Sequence, residues 1–510
     1  MKDFILIISL LKLVNSAKIL AVFCFPTMSH HLVFQPIVKE LAALGHEVTF
    51  LTSNPINDPT LQNLSEIDMS VTYTLRKLPF INRTNNNFIK SVLEGSEFAE
   101  YITSKLLEEK AFAEILRKPE NTYDLILIDS MMTVLFGFQH KFKAPLISVS
   151  SVPMYMSTHY FIGNPIHPFL YPEVTSGLAI PVTTFRDKLD SLYIFLVIYF
   201  LQEFYMISRY DAIAKKHFGE DMPDLREMIK KTSFFFDYGN PFLSFRRPLA
   251  ANHKEVWNIR TLETALPKDL QHIIDNAKNG VVYFSLGTTV SLAHLENEIK
   301  NTMLEVLSEL PYTVLCKWDE EFDGKSDNLL VRKMFPQRSI LAHPNVKLFI
   351  THAGIQSAEE ALLNGVPMVV IPITYDQPFN SKQLKKYGVA EIVHLSTLTK
   401  DSMKEAIYKV AEEKEYRAKA KEISKILLDQ PRSGLDEIMW WCEYVIRHKG
   451  AAHLRSPAAD ISLYDYFMLD VLVVVLICSW LIYKMIIISL RMIIRFLKKK
   501  ILRKRRRKIE

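Results

Sequence analysis

The segment from Met334 to Gln377, MFPQRSILAHPNVKLFITHAGIQSAEEALLNGVPMVVIPITYDQ, constrains the fold more than any other part of the chain. Val346 to Thr351 is an apolar run of strand length. Ser357 to Leu363 is a helix that follows it, and Met368 to Ile371 is the next buried strand. Asn364-Gly365 closes the helix and Pro367 prevents its continuation, so turn chemistry and hydrophobic pattern agree. This is a βαβ unit, which needs a parallel sheet with helices on its faces. In such sheets ligands collect beyond the carboxyl ends of the strands. Thr351-His352-Ala353-Gly354 stands at such an end, before a helix N-terminus whose free N–H groups and dipole favour a phosphate.

The same frame recurs near the N-terminus. Lys18 to Phe25 reads as a buried strand, His31 to Leu44 as a helix ended by Gly45, and His46 to Thr52 as the next strand. Pro26-Thr27-Met28-Ser29-His30 connects strand to helix. Tyr123 to Asp129 is a third strand, with Asp129 at its carboxyl end. A histidine beside a carboxylate suits proton transfer, because its pKa lies near neutrality and the carboxylate raises its basicity. The plainer reading makes His30 or His31 a helix cap and Asp129 an N-cap. Tyr283 to Thr288 reads as strand then turn, where Ser285 and Gly287 let backbone approach a nucleotide. A turn glycine with no ligand fits that stretch as well.

The polar residues on these frames fall in the register of a known family. From Met334 to Gln377 the chain resembles the donor-binding signature of UDP-glycosyltransferases, with Gln337, His352, Ser357, Glu360, Asp376 and Gln377 at matching offsets. Ser29, His30, Phe34 and Pro36 match the family's SHxxxFxP loop. The likeness is to animal UDP-glucuronosyltransferases, of arthropod type. It implies an α/β GT-B fold: two Rossmann-like domains facing across a cleft, acceptor in the first and donor in the second. The implied reaction is inverting transfer of a hexose, glucose or glucuronic acid, from a UDP-sugar co-substrate to a hydroxyl of a small lipophilic acceptor. No cofactor and no metal are implied. By the same resemblance Gln337 lies along uracil and ribose, and His352 and Ser357 hold the pyrophosphate with Gly354 beside it. Glu360 accepts the ribose hydroxyls, Asp376 and Gln377 grip the sugar, His30 is the general base and Asp129 orients it. A carboxylate does accept two hydrogen bonds from a vicinal diol. Taken singly, His352 reads as a strand-end histidine and Glu360 as a solvated helix face; their common register reverses that reading.

Several positions depart from the family. Met334 stands where the family has a uracil-stacking Trp, with Phe335 beside it as a substitute ring. The usual Gly-Gly after the histidine is Ala353-Gly354, and a positive φ at Ala353 would cost about 1 kcal/mol. Glu359 adds a carboxylate next to Glu360, near a polyanion. Val256-Trp257-Asn258 replaces Val-Gly-Gly. These departures keep open a membrane-anchored binding homologue with impaired turnover; a ceramide-type lipid glycosyltransferase is the third reading.

The expected organisation is a signal peptide over 1–17, an acceptor domain over 18–248, a linker over 249–266 and a donor domain over 267–450. In the family the last helix of the donor domain, here bearing Trp440 and Trp441, returns across the first domain. A transmembrane helix over 467–490 and a basic cytosolic tail over 491–510 complete the chain. The tail holds 11 Lys or Arg and one acid, so the net charge of +6 conceals an acidic remainder with no general surface for nucleic acid. A cationic tail stays cytosolic, which puts the body in the lumen, and Arg507-Lys508-Ile509-Glu510 resembles an endoplasmic-reticulum retrieval signal. Asn63-Leu64-Ser65 and Asn82-Arg83-Thr84 are glycosylation acceptors. The four cysteines form no disulfide framework and no metal spacing. Homo-oligomerisation is compatible with all of this. Leu192 to Leu201, LYIFLVIYFL, is too short to span a membrane; it reads first as a core helix and second as a membrane-dipping segment.

Overall fold

The computed structural model describes residues 16–75, 88–176, 178, 182–259, 265–288, 295–319 and 326–506. The signal-peptide core, the Asn82 acceptor and the Arg507–Glu510 signal lie outside these residues. Two sheets carry the body, and every strand pairing in them is parallel. The first consists of β1 (Lys18–Phe23), β2 (Glu47–Thr52), β3 (Leu64–Asp68), β4 (Leu125–Asp129), β5 (Leu146–Ser150), β6 (Phe234–Tyr238) and β7 (His253–Val256), in the order β3-β2-β1-β4-β5-β6-β7. The second consists of β8 (Val281–Ser285), β9 (Thr313–Lys317), β10 (Leu329–Arg332), β11 (Val346–Thr351), β12 (Met368–Val370) and β13 (Ala390–Ile392), in the order β10-β9-β8-β11-β12-β13.

Helices on both faces explain why the strands read as unbroken apolar runs rather than alternating ones. In β1, Ile19, Ala21 and Phe23 enter one hydrophobic cluster while Leu20 and Val22 enter another. In β8, Val281 and Tyr283 part from Val282 and Phe284 in the same way. The cluster holding Ile19 and Val281 is common to both sheets. The Met28–Ala43 helix is held on β1 by Phe34, whose ring stacks on Phe23 at 4.1 Å, a contact worth ~0.5–1.5 kcal/mol beyond burial. The Gly434–His448 helix of the second half adds Ile438, Cys442 and Val445 to the shared cluster and packs against β4, β6 and β7. Its Glu443 meets the buried His46 Nε2 at 2.8 Å.

Some boundaries move. The first sheet does not end at Pro248: β7, within the stretch expected to be linker, pairs with β6. The first helix begins at Met28 rather than His31, so the Ser29-His30 pair forms its first turn. Leu192–Leu201 is no core helix. It belongs to a continuous helix from Phe185 through a π turn at Leu201–Met206 to Phe218, in which Phe185, Leu189, Tyr193 and Phe200 are exposed.

Residues Pro457–Glu510 form a separate unit. Its main element is a single helix, Leu469–Arg506, that carries the apolar span and the start of the basic tail without a break. Within Leu469–Arg503 the most apolar 18 residues have mean hydropathy 2.7, and the helix is long and apolar enough to cross a membrane.

Candidate active site

In a parallel sheet the crevice opens where neighbouring strands send their connections in opposite directions. In the first sheet that point lies between β1 and β4, and His30 follows β1 while Asp129 ends β4. In the second it lies between β8 and β11, where Ser285 ends β8 and His352 follows β11. Both crevices open on one cavity of about 730 Å³, lined by His30 from the first half and by Ser285, Gly287, Gln337, His352, Gly354, Ser357, Glu360, Asp376 and Gln377 from the second. Asp129 is fully buried behind that wall.

His30 and His31 have separate fates. His31 is buried, with Nε2 on the Phe25 carbonyl at 3.0 Å and Nδ1 on the Thr52 hydroxyl at 3.1 Å, and burial pulls its pKa to about 4. It is a neutral core histidine. His30 faces the cavity, its imidazole stacked on the Phe25 ring at 5.5 Å. Asp129 Oδ1 accepts the Met131 N–H at 3.0 Å. His30 Nδ1 and Asp129 Oδ2 have no hydrogen-bond partner among the described residues, so the two side chains are not bonded to each other.

The second half is knitted more closely. Gln337 Nε2 donates to Ser357 Oγ at 3.1 Å and to Glu360 Oε2 at 2.8 Å, which joins three of the predicted residues across two helices, Gln337–Leu341 and Ile355–Leu363. Gln377 Oε1 accepts the backbone N–H groups of Ile373 and Thr374 at 2.8 and 2.9 Å. Asp376 accepts from Asn380 at 2.6 Å, and burial raises its pKa. The role of Gly287 is now specific. Its φ is +83°, and a Cβ there would lie 2.6 Å from the His352 ring, so the glycine makes room for that imidazole. Gly354 does the same from the other side, at 2.7 Å.

Lys317, the last residue of β9, lies at this end of the cavity and was not singled out from the sequence. Its Nζ donates to the Gly287 carbonyl and to Asp319 Oδ1, each at 3.0 Å. Burial, with the Lys317 charge behind it, lowers the His352 pKa to about 4. A lysine closing the apolar run TVLCK at a strand's carboxyl end was the available signal. Tyr155 and Glu173 of the first half also line the cavity. Glu173 accepts from the Met156 N–H at 3.1 Å and the Thr175 hydroxyl at 3.2 Å, and burial raises its pKa.

The departures from the family pattern find local explanations. Asn258 takes the left-handed φ of 54° that a glycine would supply, and the Trp257 indole donates to the Leu427 carbonyl at 3.0 Å. Glu359 is not among the residues that line the cavity: it accepts from Tyr238 Oη at 2.6 Å and the Asn258 N–H at 3.0 Å, and so fastens the two halves together. Ala353 does hold a positive φ, 63°. Met334 and Phe335 both line the cavity; Met334 is exposed, whereas Phe335 is largely buried with its ring edge-on to Tyr283.

Two Rossmann-type sheets with one cavity at both switch points define a GT-B glycosyltransferase. The fold is shared with the rice protein Os79 solved in complex with UDP, at TM-score 0.54 and 16% identity over 84% of this chain and all of that one. The chain belongs to the UDP-glucoronosyl and UDP-glucosyl transferase family, whose model matches residues 17–508. It is 34% identical to UDP-glucosyltransferase 2 of Dactylopius coccus, over 91% of this chain and 90% of that protein. It is 28% identical to UDP-glucuronosyltransferase 2B9 of Macaca fascicularis, over 88% of each. The protein is thus a UDP-glycosyltransferase.

Proposed function

We propose that this enzyme transfers glucose from UDP-glucose, with inversion, to a hydroxyl of a small lipophilic acceptor. The observation that carries the reading is the meeting of His30 with the Gln337–Ser357–Glu360 network in one cavity. His30 takes the acceptor proton, and Asp129 turns toward it and stabilises the imidazolium as the acceptor seats. The acceptor oxygen attacks the anomeric carbon from the face opposite the diphosphate, which departs as UDP. Glu360 takes the ribose hydroxyls. His352, Ser357 and the Ile355–Leu363 helix N-terminus take the diphosphate, with Lys317 as the cation behind them. Asp376 and Gln377 hold the sugar hydroxyls.

Glucose is favoured over glucuronic acid on charge. The buried carboxylates of Glu173 and Asp376 both act on the Tyr155 phenol in the cavity, and burial with Glu173 first among its charged neighbours raises the Tyr155 pKa. An anionic sugar entering beside these carboxyl groups meets like charge, while the Lys317 ammonium is engaged by the Gly287 carbonyl and Asp319. The acceptor is lipophilic because Phe25, Phe98, Phe136 and Phe161 line the first-domain side. We read the Leu469–Arg506 helix as a single-pass anchor with its cationic end in the cytosol; the reading that the body, with its exposed Asn63, faces the endoplasmic-reticulum lumen is supported by that charge asymmetry.

The test is UDP release from UDP-glucose and UDP-glucuronate with a panel of phenolic and alcoholic acceptors, followed by anomeric NMR of the product. UDP-glucose should lead in kcat/KM by ~tenfold or more, the scale of one like-charge contact in a partly buried site. Glu173→Gln should narrow the gap. Equal use of both donors removes the charge argument, and an α-linked product removes inversion.

A further inference from the structure

Two side chains stand next in sequence to residues of the nucleotide site yet do not line the cavity: Arg338 follows Gln337, and Glu359 precedes Glu360. Successive helix positions point apart, so each turns away from the nucleotide. Both reach Asn258, two places beyond the end of β7. Glu359 Oε1 accepts the Asn258 backbone N–H at 3.0 Å, and Asn258 Oδ1 accepts from Arg338 Nη2 at 3.0 Å. The same Glu359 oxygen accepts from Tyr238 Oη, at the end of β6, at 2.6 Å, and Oε2 accepts from Asn240 Nδ2 at 3.3 Å. Burial raises the Glu359 pKa, while these hydrogen bonds and the Arg338 charge favour its ionised form.

Asn258 serves both partners because its backbone is left-handed, φ 54°, a conformation that asparagine tolerates better than most side chains. Its loop is also packed from the far side, where the Trp257 carbonyl leaves no room for a Cβ at Gly434. Asn258 and Glu359, two of the departures from the family pattern, are therefore partners in one network. That network ties the Gln337–Leu341 and Ile355–Leu363 helices, which carry Gln337 and Glu360, to the ends of β6 and β7. His30 and Asp129 belong to β1 and β4 of that same first sheet. A transfer step needs its reacting atoms about 3–3.5 Å apart, and a remote change that misplaces them by about 1 Å costs on the order of 10²-fold in rate.

We propose that Asn258, Arg338 and Glu359 are positioning residues that fix the bound UDP-sugar at the distance from His30 that transfer requires. The proposal rests on the transferase reading with His30 as base and is independent of which sugar is moved. A buried carboxylate with three hydrogen-bond partners would hold two halves together anywhere; its place directly behind Glu360 gives the bond a catalytic consequence.

The test uses the full-length enzyme, with release of UDP from whichever of UDP-glucose and UDP-glucuronate the wild type uses, and UDP calorimetry on the same preparation. Glu359→Gln keeps an oxygen for Tyr238 and Asn258 but turns an amide NH2 toward Asn240, whose own oxygen is committed to the Phe242 and Leu243 N–H groups. In that variant kcat should fall by ~tenfold or more, with UDP Kd and the UDP-sugar KM within a few-fold of wild type. Glu359→Gln/Asn240→Asp exchanges amide and carboxylate, restores the hydrogen-bond pattern and should return kcat to within a few-fold. Asn258→Gly keeps the left-handed backbone and its N–H, gives up the Arg338 contact, and should show a smaller loss confined to kcat. Wild-type kcat in Glu359→Gln overturns the proposal. So does a UDP affinity that falls in step with kcat, because the network would then shape the nucleotide site itself. An exchanged pair that binds UDP at full stoichiometry without recovering kcat overturns it as well. Retained turnover in His30→Ala, by contrast, removes the base and leaves the Glu359→Gln comparison readable, so the two failures are distinguishable.

Discussion

The two switch points of this enzyme are finished to different degrees. At the β8/β11 crevice the polar side chains already bond to one another: Gln337 to Ser357 and Glu360, Asp376 to Asn380, Gln377 to its own loop. At the β1/β4 crevice His30 Nδ1 and Asp129 Oδ2 stand without partners among the described residues, each oriented only by its surroundings, the Phe25 ring and the Met131 N–H. A nucleotide diphosphate is the same in every turnover, and a network built in advance binds it with little reorganisation. An acceptor hydroxyl differs from one substrate to the next. Leaving the histidine–carboxylate pair to close with the acceptor in place is consistent with catalytic bonds that tighten only in the bound complex.

That contrast can be broken experimentally. The largest effect belongs to the acceptor side: Asp129→Asn should reduce turnover by ~10²-fold or more while UDP affinity, read by calorimetry, stays within a few-fold, because the carboxylate acts through His30. A matching loss of UDP binding would merge the two halves. On the donor side Glu360→Ala should weaken UDP and UDP-glucose alike by ~1–3 kcal/mol through lost ribose hydrogen bonds. Gln377→Ala should weaken UDP-glucose alone, and an equal effect on UDP would take Gln377 away from the sugar. Met334→Trp places a ring at the exposed position opposite the base and should tighten UDP by ~1–3 kcal/mol, the range for a base on an aromatic platform; unchanged affinity would mean that the uracil does not lie over residue 334.

The smallest effects are on stability. Ala353→Gly relieves a left-handed alanine and should raise the denaturation midpoint by an amount equivalent to ~1 kcal/mol. Burial pulls the pKa of His31 and of His352 down to about 4, from the ordinary histidine value of about 6.5. Between those values the unfolded chain binds more protons, so stability is fully present above pH 6.5 and falls as the pH drops toward 4. Chemical denaturation at pH 7 and pH 5 reads this directly, and His31→Asn should remove part of the difference; a pH-independent midpoint would contradict it.

Much of this was legible in the chain itself, for a physical reason. Strands buried on both faces leave long apolar runs, and the connections after them carry the polar residues, so Val346–Thr351 with His352, and Lys18–Phe23 with the Ser29-His30 turn, announced both frame and crevice. What escaped was information held between distant segments. Lys317 closes the apolar run TVLCK, but the Gly287 carbonyl that it reaches is thirty residues away, so its place in the cavity is not written in its own segment. Glu359 looked like a second carboxylate at the phosphates because it adjoins Glu360, yet successive helix positions point apart and it reaches Tyr238 instead. Leu192–Leu201 read as core from composition, since an apolar decapeptide does not say which of its faces has a partner. β7 hid in the expected linker because a four-residue strand, HKEV, carries no apolar run at all.

The most direct test of the division of labour is one variant read two ways: His30→Ala, with UDP calorimetry and UDP-glucose turnover measured on the same preparation. The expected result is a UDP affinity within a few-fold of wild type and turnover reduced by ~10²–10⁴-fold, the contribution of a general base. Retained turnover, or loss of UDP binding in step with turnover, would contradict it.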